Sequence, residues 1–291
     1  MGPVSSFAFV LVFAAAITHA AWNVIAHGSS RSGVPFLWAG SLCSTVIWAA
    51  AVPVTGGIGT TDVGGFLAGI GVSALIHVGY MLVLQRGYTS GDLSTVYATA
   101  RGVGPLLSVV VAIAVLGERP SPLSLVGIAL IIAGVVGAGL IGRRGRGTTG
   151  KRVDPALVFG VLTGVAIAAY TLWDTAAVRT WGISPVAFMV GCTFLETLLF
   201  TAILGRCLPS VVPVVREQWR TLVAFGILSP LAYILVLTAV AIAPLALVAP
   251  LREVSVVIVS LYGVVVLRES SPALRLGVSV VVVGGIALIA S

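Results

Sequence analysis

A small set of ionisable side chains interrupts long apolar stretches of this sequence. They are His19, His77, Arg101, Asp174, Glu196, Arg252 and Glu253. A charged group in hydrocarbon costs several kcal/mol, so such groups usually line a cavity and serve a function there. The guanidinium of arginine is a fixed fork of donors for a carboxylate or phosphate. Asp174, Glu196 and Glu253 are candidates for taking up and releasing protons, so the chemistry indicated is binding and proton exchange.

Aromatic and polar side chains share helix faces with these groups. The candidate substrate-binding residues are Trp22, Asn23, His77, Tyr80, Tyr97, Arg101, Tyr170, Trp173, Tyr233, Arg252 and Ser255. Residues three or four apart project from one side of a helix, which places Trp22 and Asn23 beside His19. Tyr170, Trp173 and Asp174 repeat that spacing. We therefore expect these two faces to oppose each other across a central cavity.

Catalytic and metal chemistry has little support in the sequence. The chain has three His and three Cys, with neither a nucleophile elbow nor a zinc motif, so we expect no enzyme activity, no cofactor and no metal. A membrane-embedded enzyme would need a catalytic pair at the interface. Its candidates, His27, Asp62 and Asp92, fall in different loops.

The composition indicates that the protein faces lipid. Of 291 residues, 58% are hydrophobic and only 9% are charged, whereas soluble domains carry roughly 25% charged residues. The net charge of +7 does not indicate nucleic-acid binding, because the basic residues are not interleaved with aromatics on a polar face. Many of them crowd the short segment 142–154.

The chain repeats itself. Arg101, Leu116, Glu118, Gly127 and Gly134 recur at nearly matching intervals as Arg252, Leu267, Glu269, Gly277 and Gly284. Trp22-Asn23 likewise recurs as Trp173-Asp174. The glycines are predicted to let helices approach closely. We interpret Glu118 and Glu269 as helix-end groups beside Arg119 and Arg268, and not as transport groups. Matching charges in two halves predict a carrier built from internal repeats.

Hydropathy predicts an all-α integral membrane protein with ten transmembrane helices. The runs are 5–27, 35–54, 64–87, 92–117, 121–141, 155–178, 185–205, 219–240, 243–267 and 271–290. They form a first five-helix repeat (1–141), a basic linker (142–154) and a second five-helix repeat (155–291). Because five is odd, the second half must enter from the opposite side, which gives inverted repeats.

Loop charge predicts the orientation. Basic residues are concentrated in loops after odd-numbered spans, whereas loops after even-numbered spans hold only Arg119 and Arg179. Short basic loops stay in the cytoplasm. We therefore expect a multi-pass protein of the cell membrane, with a cytoplasmic linker and both termini outside.

Three motifs resemble the EamA-type ten-helix branch of the drug/metabolite transporter superfamily. They are His19-Ala-Ala-Trp22-Asn23, the run from Gly91-Asp-Leu-Ser-Thr-Val-Tyr97 to Arg101, and Leu251-Arg252-Glu253-Val-Ser255. The resemblance implies a secondary transporter with two inverted five-helix repeats around a central cavity. One position departs from the pattern: Ala98 stands where a proline is common, and Pro105 and Pro250 lie elsewhere.

These observations predict an exporter of a small polar or zwitterionic metabolite, working by alternating access and either proton-coupled or facilitative. Arg101 and Arg252 would hold an anionic group of the substrate, or would serve only as struts between helices. In that second case the chain would be an amphipathic drug exporter. A membrane enzyme and a lipid scramblase are further alternatives. The bilayer and a small molecule are the expected partners; a monomer is sufficient, and a homodimer is compatible with the sequence.

Overall fold

The described part of the chain is built from α-helices. The computed structural model describes residues 5–25, 32–90, 93–143, 155–265 and 272–290. The helices are α1 (Ser6–Ile25), α2 (Gly33–Ala49), α3 (Val63–Ser90), α4 (Leu93–Ala114), α5 (Pro122–Arg143), α6 (Pro155–Trp181), α7 (Pro185–Leu204), α8 (Val211–Ile242), α9 (Leu245–Leu251), α10 (Val254–Val265) and α11 (Pro272–Ala290). These ranges contain no strand, so the predicted all-α class is confirmed.

Helix starts follow from side chains that accept the first free backbone N–H groups. Ser5 Oγ accepts from Ala8 N at 3.2 Å, and Asp62 Oδ1 accepts from Gly65 N at 2.8 Å. Such caps satisfy donors that have no partner within the helix. Other helices begin at a proline, whose missing N–H costs nothing in the first turn. These helices start at Pro122, Pro155, Pro185 and Pro272.

Three stretches of the described chain are long and apolar enough to cross a membrane. They are Val63–Thr89, Pro155–Trp181 and Pro185–Ile242. The last comprises α7, a 3-10 helix at Gly205–Ser210 and α8. Shorter apolar helices occur at Ser6–Trp22, Gly33–Ala49, Thr99–Ala114, Pro122–Gly137 and Leu276–Ala290. Large apolar side chains, including Leu75, Val110 and Val280, are exposed on the outside. This arrangement is compatible with a membrane protein.

Two helices differ from the predicted runs. The ninth run, 243–267, is divided into α9 and α10 by a turn at Arg252-Glu253. The eighth begins earlier than predicted, and α8 is kinked at Gln218, whose backbone angles (φ −120°, ψ 19°) are not helical. Hydropathy reports only that a stretch is apolar, so it does not detect either change of direction.

Helices of the two halves interleave. Helix α1 packs on α8, and α3 packs on α6; α2 lies against α7 and α8, and α3 also contacts α7. Helix α4 contacts α5, α6 and α9, while α10 contacts α1 and α11. Most of these pairs join a helix before the linker to one after it. The core is therefore shared between the halves.

Glycines permit a close crossing between α5 and α11. A Cβ atom on Gly127 would lie 2.5 Å from the Gly285 carbonyl oxygen, and one on Gly285 would lie 2.6 Å from that of Gly127. A Cβ on Gly134 would meet Val282 at 2.5 Å. Gly277 and Gly284, in contrast, border open space. Close packing through glycine occurs as predicted at Gly127 and Gly134, but in α11 it falls on Gly285.

Candidate functional site

The buried carboxylate of Glu253 lies close to both repeated arginines. Nη1 of Arg101, on α4, donates to Oε1 of Glu253 at 3.1 Å and to Oε2 at 3.4 Å. Nε of Arg252 lies 3.8 Å from the same Oε1. All three side chains are buried, and Glu253 is only 1% exposed. A buried charge needs such compensation, because its water shell has been removed.

Arg101 has further partners on α1 and on its own helix. Its Nη2 contacts Nε2 of His19, and its guanidinium lies 5.2 Å from the centre of the Tyr97 ring. Indole Nε1 of Trp22 donates to Nδ1 of His19 at 3.2 Å, which orients the imidazole. A carboxylate, an imidazole and an aromatic face thus hold the Arg101 guanidinium in one position.

Arg252 and Glu253 occupy a break in a helix. Helix α9 ends at Leu251 and α10 begins at Val254. Pro250, in the last turn of α9, has no N–H and therefore cannot donate to the carbonyl of Ala246. In the described part of the chain, Nε of Arg252 and Oγ of Ser255 are buried and have no hydrogen-bond partner. Broken helices that expose polar groups inside a bundle form binding sites in transporters.

A second cluster adjoins the first and is mainly aromatic. The imidazole of His77 stacks on the Tyr170 ring, with centroids 4.2 Å apart and planes inclined by 29°. Tyr233 meets both rings edge-on, at 5.7 Å from His77 and 5.8 Å from Tyr170. Tyr80 packs edge-on against Tyr170 at 5.6 Å. Ala100, next to Arg101, is buried among these tyrosines, so the two clusters are continuous.

Two acids border this aromatic cluster. Oδ2 of Asp174 accepts a hydrogen bond from the Tyr233 hydroxyl at 2.6 Å, while its Oδ1 has no partner within the described ranges. Oε2 of Glu196 accepts from Ser41 at 2.9 Å, and its Oε1 lies 4.0 Å from Nδ1 of His77. Both acids are fully or almost fully buried. Their hydrogen-bond partners are neutral side chains, which fits groups that exchange a proton.

Other predicted site residues lie elsewhere. Trp173 donates from Nε1 to the Gly69 carbonyl at 3.0 Å and meets Trp181 edge-on, so its indole packs on α3. The side chain of Asn23 lies outside the described residues. The residues named for the enzyme alternative do not assemble: Asp62 is the cap of α3, and His27 and Asp92 lie outside the described ranges. The described residues contain no group of three or more His, Cys, Asp or Glu that could hold a metal.

Glu118 makes several structural contacts that the sequence did not indicate. Its Oε1 accepts from the backbone N of Leu245 at 2.8 Å, and its Oε2 accepts from that of Ala246 at 2.7 Å. Arg179 donates to Glu118 at 3.0 Å and also to the carbonyls of Val240 and Ala243. Glu118 therefore caps α9 while Arg179 closes the end of α8. The pairing with Arg179, and not with Arg119, could not be read from neighbouring positions.

The comparisons with known proteins concern the fold. No family model matches the chain, and no curated protein matches it. One solved structure, described as "Crystal structure of protein", is similar over 97% of this chain and 95% of its own, with 23% identity and a TM-score of 0.73. The chain therefore shares its fold, along nearly its whole length, with a solved protein.

Proposed function

We propose that this protein is a secondary membrane transporter that moves a small polar or zwitterionic metabolite, as an exporter, by alternating access. The observation that carries the proposal is the convergence of Arg101, Arg252 and Glu253 at a helix break inside an apolar bundle. Buried charge at a broken helix is costly for a scaffold, but a carrier uses it to replace the water around a polar solute.

The pairing of helices supports two inverted five-helix repeats, with α9 and α10 together forming the ninth of ten spans. In these repeats α1 corresponds to α6, α2 to α7, α3 to α8, α4 to the α9–α10 segment and α5 to α11. If each helix is replaced by its counterpart, the contact of α1 with α8 becomes that of α6 with α3. The contact of α2 with α8 likewise becomes that of α7 with α3. The same exchange turns the contact of α4 with α5 into that of α10 with α11. This arrangement is in line with the EamA-type resemblance.

The substrate class follows from the groups that line the two clusters. Among the described residues, Nε of Arg252 and Oγ of Ser255 are buried and have no hydrogen-bond partner, and a cation beside a hydroxyl suits an anionic group such as a carboxylate. The acids Asp174 and Glu196 border the aromatic cluster and suit an ammonium group. A zwitterion such as an amino acid presents both charges.

Charge balance supports coupling to protons. With all groups ionised, Arg101 and Arg252 face Asp174, Glu196 and Glu253, which leaves one negative charge in excess. One bound proton would neutralise the set. Asp174 or Glu196 is the natural carrier of that proton, because Glu253 is already paired with Arg101 and Arg252. Exchange of this proton for substrate would couple export to the proton gradient.

The second candidate is an exporter of amphipathic toxicants. The pairing of Arg101 with Glu253 and His19 suits a strut between helices. The stacked rings of His77 and Tyr170, with Tyr233 edge-on to them, suit an apolar cation. In this case aromatic contacts, and not the arginines, would select the substrate.

Flux through proteoliposomes under an imposed pH gradient tests the proposal. The solutes are a labelled amino-acid mixture and, separately, tetraphenylphosphonium. We expect amino-acid flux that is abolished in Arg252→Gln and uncoupled from pH in Asp174→Asn. The matched control is Glu217→Gln, an exposed acid of α8. Flux of tetraphenylphosphonium that survives Arg252→Gln would favour the second candidate, and the absence of solute flux at any gradient would refute both.

A further inference from the structure

A groove separate from the two central clusters lies where α7 ends and α8 begins. It has a volume of about 840 Å³. Its lining residues are Trp38, Leu208, Pro209, Val211, Val212, Val215, Arg216 and Trp219. All but Arg216 are apolar or aromatic, and none belongs to the two central clusters. The groove is formed by α2, the 3-10 helix Gly205–Ser210 and the first turns of α8.

The walls of the groove are held in place by specific contacts. Nε1 of Trp38 donates to Thr201 Oγ1 at 2.6 Å, which fixes the indole that forms one wall. At the kink in α8, Nε2 of Gln218 donates to Ser32 Oγ at 2.7 Å, so the first turns of α8 are tied to the start of α2. The groove is therefore a feature of the folded bundle and not of a loose loop.

The α8 wall is an apolar face that the described part of the chain leaves largely exposed. Val212, Val215 and Trp219 lie at spacings of three and four residues, so they project from one side of the helix. They are 63%, 41% and 55% exposed, respectively. An apolar strip of this kind in a membrane protein accommodates acyl chains.

Two guanidinium groups flank the strip. Arg216 lines the groove, and the guanidinium of Arg220 lies 5.3 Å from the centre of the Trp219 ring. The two arginines are four residues apart and lie on either side of the kink at Gln218. Their charge is complementary to a phosphate, and the segment belongs to one of the basic loops predicted to face the cytoplasm. The cytoplasmic leaflet is where anionic lipids provide a negative surface.

We propose that this groove binds an anionic phospholipid of the cytoplasmic leaflet. An acyl chain lies along Val212, Val215 and Trp219, and the phosphate is held by Arg216 and Arg220. The combination is what selects the ligand: a free phosphate would leave the apolar strip uncovered, and a neutral lipid would leave the arginine pair without a counter-charge.

Lipid retention measured by native mass spectrometry of the full chain tests the site. The purified protein is titrated with phosphatidylglycerol and, separately, with phosphatidylcholine. We expect phosphatidylglycerol to be preferred, and its affinity to fall by about tenfold or more in the Arg216→Gln, Arg220→Gln double variant. The matched control is Arg206→Gln, an exposed arginine of the adjoining 3-10 helix outside the groove, which should keep the wild-type preference.

A second variant tests the acyl-chain contact separately from the headgroup contact. Val215→Trp fills the groove and keeps both arginines; it should weaken phosphatidylglycerol retention although the charge is unchanged. Val215 is exposed, so this variant is expected to fold, and its unfolding temperature checks that it does. Unchanged retention in both the double variant and Val215→Trp would overturn the proposal. So would full displacement of the lipid by glycerol phosphate, which would show an anion site without a place for the chain.

Discussion

Helix α4 and the α9–α10 segment correspond in the repeated sequence, but they differ in shape. Helix α4 is continuous from Leu93 to Ala114, and its proline, Pro105, follows Arg101. In the other half Pro250 precedes Arg252, and the helix breaks at that arginine. The two segments therefore differ in where the proline lies relative to the arginine. Arg101 precedes its proline and is a strut in a continuous helix, whereas Arg252 follows its proline and forms a charged pair in a turn.

The environments of the two arginines differ accordingly. Arg101 donates to Glu253, contacts His19 and lies over the Tyr97 ring. Arg252 has Glu253 at 3.8 Å as its ion-pair partner, and its Nε makes no hydrogen bond within the described ranges. We infer that the duplicated residue has divided its roles: Arg101 joins the halves, and Arg252 is available to a substrate.

The largest effect is expected from Glu253, which both arginines share. Glu253→Gln removes their counter-charge and leaves two buried cations close together, a loss of about 3–5 kcal/mol. Thermal unfolding of the detergent-solubilised protein should show a large fall in the midpoint, whereas Glu217→Gln should leave it unchanged. An equal midpoint for Glu253→Gln and wild type would mean that the carboxylate does not balance the arginines.

A smaller and unequal effect is expected from the arginines themselves. Arg101→Gln removes charge-assisted hydrogen bonds to Glu253, each worth about 1.5–3 kcal/mol. Arg252→Gln removes a cation whose Nε has no hydrogen-bond partner among the described residues, so stability should be unchanged or slightly higher. Unfolding midpoints of the two variants, measured side by side, give the comparison. Equal losses would contradict the division of roles, because they would mean that both arginines are struts.

Much of the fold could be predicted from the sequence because helix existence depends on local properties. Apolar length predicted the helices apart from the early start of α8 and the division of the ninth run, and the glycine spacing predicted the crossing at Gly127. The break after Leu251 was hidden because α9 and α10, taken together, are as long and apolar as one continuous helix. Pro250 is the signal that could have revealed it, but Pro105 lies inside α4 without breaking it.

The sequence singles out the buried polar residues but does not give their pairing. Arg101 and Glu253 can be singled out because charged residues are rare in apolar runs. Helical spacing gives only the residues that share a face, whereas partner choice depends on how distant helices pack. For that reason Trp173, expected beside Asp174 in the cavity, faces α3, and the partner of Glu118 is Arg179 from another helix.

A small effect on stability is expected from the proline that marks the broken helix. Pro250→Ala supplies an N–H that can donate to the Ala246 carbonyl, which favours a continuous helix by about 1 kcal/mol. That change would rotate Arg252 and Ser255 out of their present turn, so flux in proteoliposomes should fall although the unfolding midpoint hardly moves. Pro105→Ala is the matched control in α4, where the helix is already continuous and flux should persist. If the Pro250→Ala protein transported as well as wild type, the turn would not be what makes Arg252 available, and the contrast between the two halves would have no functional meaning.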